Sequence, residues 1–187
     1  MELCIFGITI KRMSVTIKGD HGFDNKPSIE AKALRINLNP FIYGTFAEIG
    51  AGQEVARHFF KAGGSSGTIA KTISAYDKNF SDTIYGEEAD GRYVTDTRLD
   101  KMMSHAMRLL KKRIPKEDQP NKMFFTLANT VATIDFAKKF KGHGWMGIRF
   151  QTEPEGPYNQ IVLHVRFHQT EARLQQEALG FMGVNLV

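Results

Sequence analysis

Apolar residues recur along the chain with two different periods, and the stretch from Phe41 to Thr72 carries both. Phe41 to Ile49 is almost continuously apolar, which predicts a strand buried in the middle of a sheet. The turn Gly50-Ala51-Gly52 follows, and Gln53 to Ala62 then sets Val55, Ala56, Phe59 and Phe60 on one stripe at helical spacing. A second glycine-rich turn, Gly63 to Gly67, precedes Ile69, Ile73, Tyr76, Phe80 and Ile84. That spacing predicts one helix of roughly four turns, stopped by Gly86.

The rest of the pattern is read the same way. Val15 and Ile17 predict a short strand, and Gly19 to Pro27, with Asp20, His21, Gly22 and Asp24, a turn-rich loop. Leu34, Ile36 and Leu38 alternate with Arg35, Asn37 and Asn39, which predicts a strand stopped by Pro40. After a charged loop from Glu87 to Arg92, Thr97 is the expected N-cap of a helix. Its apolar face would be Leu99, Met102, Met103, Ala106, Leu110 and Ile114, and Pro115 to Pro120 reads as a linker. Met123 to Thr133 predicts a strand, and Trp145–Gln151 with Gln160–His168 a hairpin. In that hairpin Met146, Ile148 and Phe150 share a face with Ile161, Leu163, Val165 and Phe167, leaving Arg149, Gln151, His164, Arg166 and His168 on the reverse. Thr170 is the expected cap of a short helix to Leu179, ended by Gly180, with a final apolar strand. Strands alternating with helices predict one α/β (or α+β) domain, a mixed β-sheet with helices packed against it.

Composition narrows the class. At 187 residues, 42% hydrophobic and 24% charged, the chain can bury a sizeable core without metal or disulfide. Its single cysteine, Cys4, points to a reducing compartment, so a cytoplasmic location is expected. Glu2 precedes the apolar run Leu3–Ile10 and Lys11-Arg12 follow it, the reverse of a signal peptide's charge order, and no run reaches the roughly 20 residues of a membrane span. Met13 is a second plausible start, making residues 1–12 an extension of a domain over 13–187. The chain stops inside the apolar run Gly183–Val187, which predicts a domain continuing in a longer protein. The net charge of +5 is compatible with an anionic partner.

Candidate chemistry centres on the two glycine turns. Amides at a helix N-terminus are unpaired and partially positive, and glycine lets a ligand approach them closely, so phosphate binds there readily. The expected phosphate or nucleotide site is Gly50, Gly52, Gln53, Arg57, Gly64, Ser66, Gly67, Thr68 and Lys71. Neither turn is a known nucleotide motif. Val55 stands where a dinucleotide fingerprint needs its third glycine, and Ala70 stands where a P-loop needs glycine before Lys71. Arg149, His164 and Arg166 are the expected secondary anion site on the hairpin, the alternative being arginines paired with Glu153, Glu155 or Glu171. Glu54 and His58 are one helical turn apart, but no Cys pair or His-Glu-x-x-His exists, and His164 and His168 would lie about 13 Å apart along a strand. No metal is expected, and the sequence names no cofactor. Cys4 sits in an apolar run and reads as an inert thiol.

Ala33-Leu34-Arg35-Ile36-Asn37-Leu38-Asn39, Tyr43-Gly44-Thr45-Phe46-Ala47-Glu48-Ile49-Gly50-Ala51-Gly52-Gln53-Glu54-Val55-Ala56-Arg57, Gly67 to Thr72 with Ser74-Ala75-Tyr76-Asp77, His143-Gly144-Trp145-Met146-Gly147-Ile148-Arg149-Phe150-Gln151 and Gln175 to Gly180 together resemble a bacterial family of uncharacterised proteins. The resemblance spans roughly Ala33 to Val187 and implies a longer parent chain. Members carry the labels nicotinate-nucleotide adenylyltransferase and TonB-dependent receptor. The first chemistry uses His-x-Gly-His, where this chain has Gly142-His143-Gly144-Trp145; the second needs the alternating strands of a barrel.

The leading expectation is therefore a nucleotide or phosphorylated small molecule bound at the glycine turns. Were the protein an enzyme, phosphoryl- or nucleotidyl-group transfer would be the natural class, with Arg57, Lys71 and Arg149 stabilising charge. A non-catalytic assembly domain forming homo-oligomers is the second reading. Nucleic-acid binding through Arg108–Arg113 and Lys138–Lys141 is the third.

Overall fold

The computed structural model describes residues 27–114 and 120–187. Its strands are β1 (Ile42–Gly50), β2 (Ile69–Ala75), β3 (Met123–Ala132), β4 (His143–Gln151) and β5 (Tyr158–Arg166). Its helices are α1 (Ile29–Asn37), α2 (Val55–Ala62), α3 (Lys78–Tyr85), α4 (Asp96–Arg113) and α5 (Ala172–Leu186). The strands form one sheet in the order β2-β1-β3-β4-β5. β1 runs parallel to both β2 and β3, whereas β4 and β5 continue antiparallel from β3.

Side-chain alternation divides the core between the two faces of this sheet. Phe46, Leu127, Met146 and Ile148 point to one face, where Ala33 of α1, Val55 and Phe59 of α2, and Leu179 and Val184 of α5 cover them. Ala47 and Ala128 point to the other, under Leu99, Met102 and Met103 of α4 and Tyr85 of α3. The result is the single α/β domain with a mixed sheet that the sequence pattern predicts, here with helices on both faces. The hairpin of β4 and β5 keeps the predicted faces, pairing Met146 with Leu163 and Ile148 with Ile161.

Several elements differ from the sequence reading. Most of the strand expected at Leu34–Asn39 is instead the end of α1. Ser28 caps that helix by accepting the Ala31 N–H at 3.2 Å, and Ile29, Ala33, Ile36 and Asn37 form its inward stripe. The alternating Leu38, 65% exposed, decided nothing. The expected long helix from Ile69 to Ile84 is β2 followed by α3. Ile69 and Ile73 fit a period of two as well as one of 3.6, and β1 supplies the backbone partners. Asp77 starts α3 by accepting the Phe80 N–H, and Gly86 ends it as expected. The N-cap of α4 is Thr95 rather than Thr97.

The helix expected to stop at Gly180 runs on to Leu186. Both glycines are contact points between α5 and α2: a Cβ on Gly180 would meet His58 and Glu54, and one on Gly183 would meet Val55. Close packing, rather than termination, is what they serve. The Val15–Ile17 strand, the residue 1–12 extension, most of the Gly19–Pro27 loop and residues 115–119 of the linker lie outside the described residues. Among the described residues no helix is long and apolar enough to cross a membrane.

Candidate functional site

The strand order reverses at β1. One connection leaves it through α2 to β2 on one side, and the next passes through α3 and α4 to β3 on the other. In open α/β sheets a crevice forms beyond the carboxyl ends of the strands at such a point. Gly50 ends β1 with φ of 74°, a left-handed conformation that glycine adopts at little cost, and its missing Cβ leaves room for the Val131 carbonyl. The Ala51 N–H donates to that carbonyl at 3.1 Å.

Glu48, two residues earlier, is the centre of this turn. Its side chain is buried, and its carboxylate accepts the N–H groups of Val55 at 3.1 Å and Ala56 at 3.2 Å, the first amides of α2. Asn129 of β3 donates to the same carboxylate and to the Gly52 carbonyl, both at 3.0 Å. Burial pushes the Glu48 pKa up to about 7, against the pull of the three donors. The helix beginning expected to receive an external anion is therefore capped by the protein's own acid. Gly52 fits only as glycine, since a Cβ would run into Asn129 and approach Leu179 Cδ2 to 2.7 Å.

Beside this cap lies an open cleft of about 420 Å³. Glu48 forms its floor; Ala56, Arg57, Phe60 and Lys61 of α2 make one wall, Thr72 and Ser74 of β2 the other, and Gln53 the end. Among the described residues Arg57 makes only a long 3.9 Å ion pair with Glu54, and it stays largely exposed.

The second turn differs from the sequence reading. Ser65–Gly67 is a single 3-10 turn that leads into a strand, so no second helix N-terminus exists there. Gly64 has φ of 69° and packs beside Leu38; Ser66 is exposed; the Gly67 carbonyl accepts from Lys122 at 3.0 Å. Thr68 is buried and donates to the Asn37 carbonyl at 2.6 Å. Asn37 in turn donates to the carbonyls of Phe59 and Gly63 at 2.8 and 2.7 Å.

Arg57, Lys71 and Arg149 do not share a cleft. Thr72 and Ser74 face α2, so Lys71, one residue out of phase, faces α4 across the sheet. Arg149 is held by Asp100 at 2.8 Å, by Ser104 and by Gln160. The secondary anion site is divided as well. His164 stacks on Trp145 with centroids 4.4 Å apart and lies edge-on to His143 at 5.7 Å, four residues along β4 from Arg149. Burial, Arg166 and His143 hold the His164 pKa below the usual histidine value. Among the described residues no three His, Cys, Asp or Glu side chains gather as a metal ion requires. Glu54 and His58 face α5, where His58 packs on Phe181.

Glu48, Asn129 and Arg98 escaped the sequence reading. Arg98 is fully buried, its guanidinium bonded to the Gly86 carbonyl, Ser81, Asp82 and Glu88 and flanked by Tyr93 and Tyr85. It ties α3 to α4. An acid inside an otherwise apolar strand was the available signal for Glu48, since a buried charge needs partners.

Solved structures share this fold. A competence-damaged protein (CinA) superfamily member from Klebsiella pneumoniae 700603 superposes with a TM-score of 0.57 at 9% identity, over 84% of this chain and 91% of its own. The competence/damage inducible protein CihA from Agrobacterium tumefaciens gives 0.54 at 17% identity, covering 87% and 96%. A CinA superfamily protein from Enterobacter cloacae gives 0.54 at 10%, covering 92% and 100%. At such identities the likeness is one of fold. No family model and no curated protein matches the sequence, so neither label of the resembling bacterial family gains support.

Proposed function

We propose that this protein binds a phosphate-bearing small molecule, a nucleotide fitting best, in the cleft between α2 and β2. The observation that carries the reading is the cleft's composition. Arg57 and Lys61 line one wall and Thr72 and Ser74, with their hydroxyls, the other, near the carboxyl ends of two parallel strands. Phe60, 52% exposed, offers a ring face to a base. The cations and hydroxyls, rather than the helix amides, supply the anion contacts, because Glu48 already occupies those amides. With Lys71 and Arg149 elsewhere, binding rather than group transfer is the reading, inside the cell. The test is thermal shift with ATP, ADP and nicotinamide nucleotides. Stabilisation that grows with ligand concentration and is lost in Arg57→Ala/Lys61→Ala supports the cleft; no stabilisation by any nucleotide overturns it.

One observation favours a second reading, self-assembly. β5 is an edge strand whose Ile161, Val162 and Leu163 are 42, 39 and 37% exposed, with no Pro or Lys along it to discourage pairing. Light scattering would show a dimer that Val162→Lys dissociates.

A further inference from the structure

We infer that a second cleft, between the C-terminal half of α4 and the strands β1 and β2, binds an anionic amphiphile: a carboxylate carried on a short hydrocarbon chain. It lies on the opposite face of the sheet from the α2 cleft and does not depend on the nucleotide reading. Its volume is about 250 Å³, smaller than the 420 Å³ of the α2 cleft. Leu109, Leu110 and Ile114 of α4 face Tyr43 and Ala70 across it. The Thr45 hydroxyl is spent on the Lys71 carbonyl at 2.9 Å, so this polar side chain already has its partner.

The polar contribution is of one sign. Lys71 and Arg113 line the cleft, and neither side chain has an ion-pair or hydrogen-bond partner among the described residues. Nearby, Arg108 contacts His105 rather than an acid, and Lys122 lies over the Tyr43 ring while donating to the Gly67 carbonyl. Partial burial and the Arg113 charge lower the Lys71 pKa; burial, Arg108 and Lys71 lower that of His105. Cations in mutual repulsion beside an apolar wall are relieved by one anion whose tail fills the wall. A carboxylate bridging Lys71 and Arg113 with its chain along Leu109, Leu110 and Ile114 meets both needs.

The experiment is calorimetric titration of the full chain with octanoate, against acetate (head without tail) and octanol (tail without head), with His105 followed by NMR. Octanoate is expected to bind at least about tenfold more tightly than either control, and exposed Arg113→Gln to weaken it by about tenfold. His105 should titrate at a higher pH in the octanoate complex. Octanoate binding no better than acetate, unchanged affinity in both Arg113→Gln and Lys71→Met, or a His105 response to a DNA oligonucleotide but not to octanoate would each overturn the assignment.

Discussion

The turn at Gly50–Gly52 is held by a buried acid, and the turn at Gly63–Gly67 by a buried amide. Both follow the same plan. A side chain from a neighbouring element reaches under the loop and ties down backbone groups: Glu48 takes the N–H groups of Val55 and Ala56, while Asn37 gives its own N–H groups to Phe59 and Gly63. An asparagine serves each turn by donating twice, Asn129 at the first and Asn37 at the second. The difference lies in charge. A carboxylate taken out of water makes the first turn respond to pH, whereas an amide leaves the second indifferent. The two ends of α2 explain the choice, since a helix start presents donors and a helix end presents acceptors.

The largest effect expected from this contrast is a pH dependence of stability. Folded Glu48 holds its proton up to about pH 7, against an ordinary value of 4.5. Between those values the folded chain binds more protons than the unfolded one, so stability falls as pH rises, by up to about 3 kcal/mol. Urea denaturation from pH 5 to pH 8 should show this fall. Glu48→Gln should remove that slope, and Asn37→Ala should keep it; a slope retained by Glu48→Gln would place the titrating group elsewhere.

Next in size is Gly52→Ala. Its Cβ would press on Asn129 and Leu179, and overpacking of this kind costs about 1–3 kcal/mol. The same change should loosen the Glu48 cap and so weaken the pH slope, a coupling readable in the same titration. Asn37→Ala strands one buried and one half-buried carbonyl and should cost about 1–2 kcal/mol at every pH tested. Smallest is Gly67→Ala. Nothing lies within 4 Å of its Cβ and its backbone is not left-handed, so a gain of at most about 1 kcal/mol in thermal unfolding is expected.

The comparison also shows how far the chain could be read before folding. The apolar run of β1, the stripe of Val55 and Phe59 on α2, the face of α4 and the hairpin of β4 and β5 were all legible, because each follows from periodicity within one element. Gly50 and Gly52 were legible as a turn, but the close approach was expected from a ligand rather than from another strand of the chain. The object approached is Asn129, 77 residues away in sequence, and no local pattern could name it. Ile69 and Ile73 satisfied two periods at once, and only pairing with β1 decided for a strand.

By itself, then, the amino-acid order determined the layered α/β class, the turn before α2 and the faces of most elements. These rest on interactions between near neighbours in the chain. Tertiary structure decided which cations meet, placing Arg57 with Lys61 in one cleft, Lys71 with Arg113 in another, and Arg149 in the grip of Asp100. It also decided that the start of α2 is closed by Glu48. Strand order and sheet face set those distances, and both emerge only when segments far apart in sequence pair.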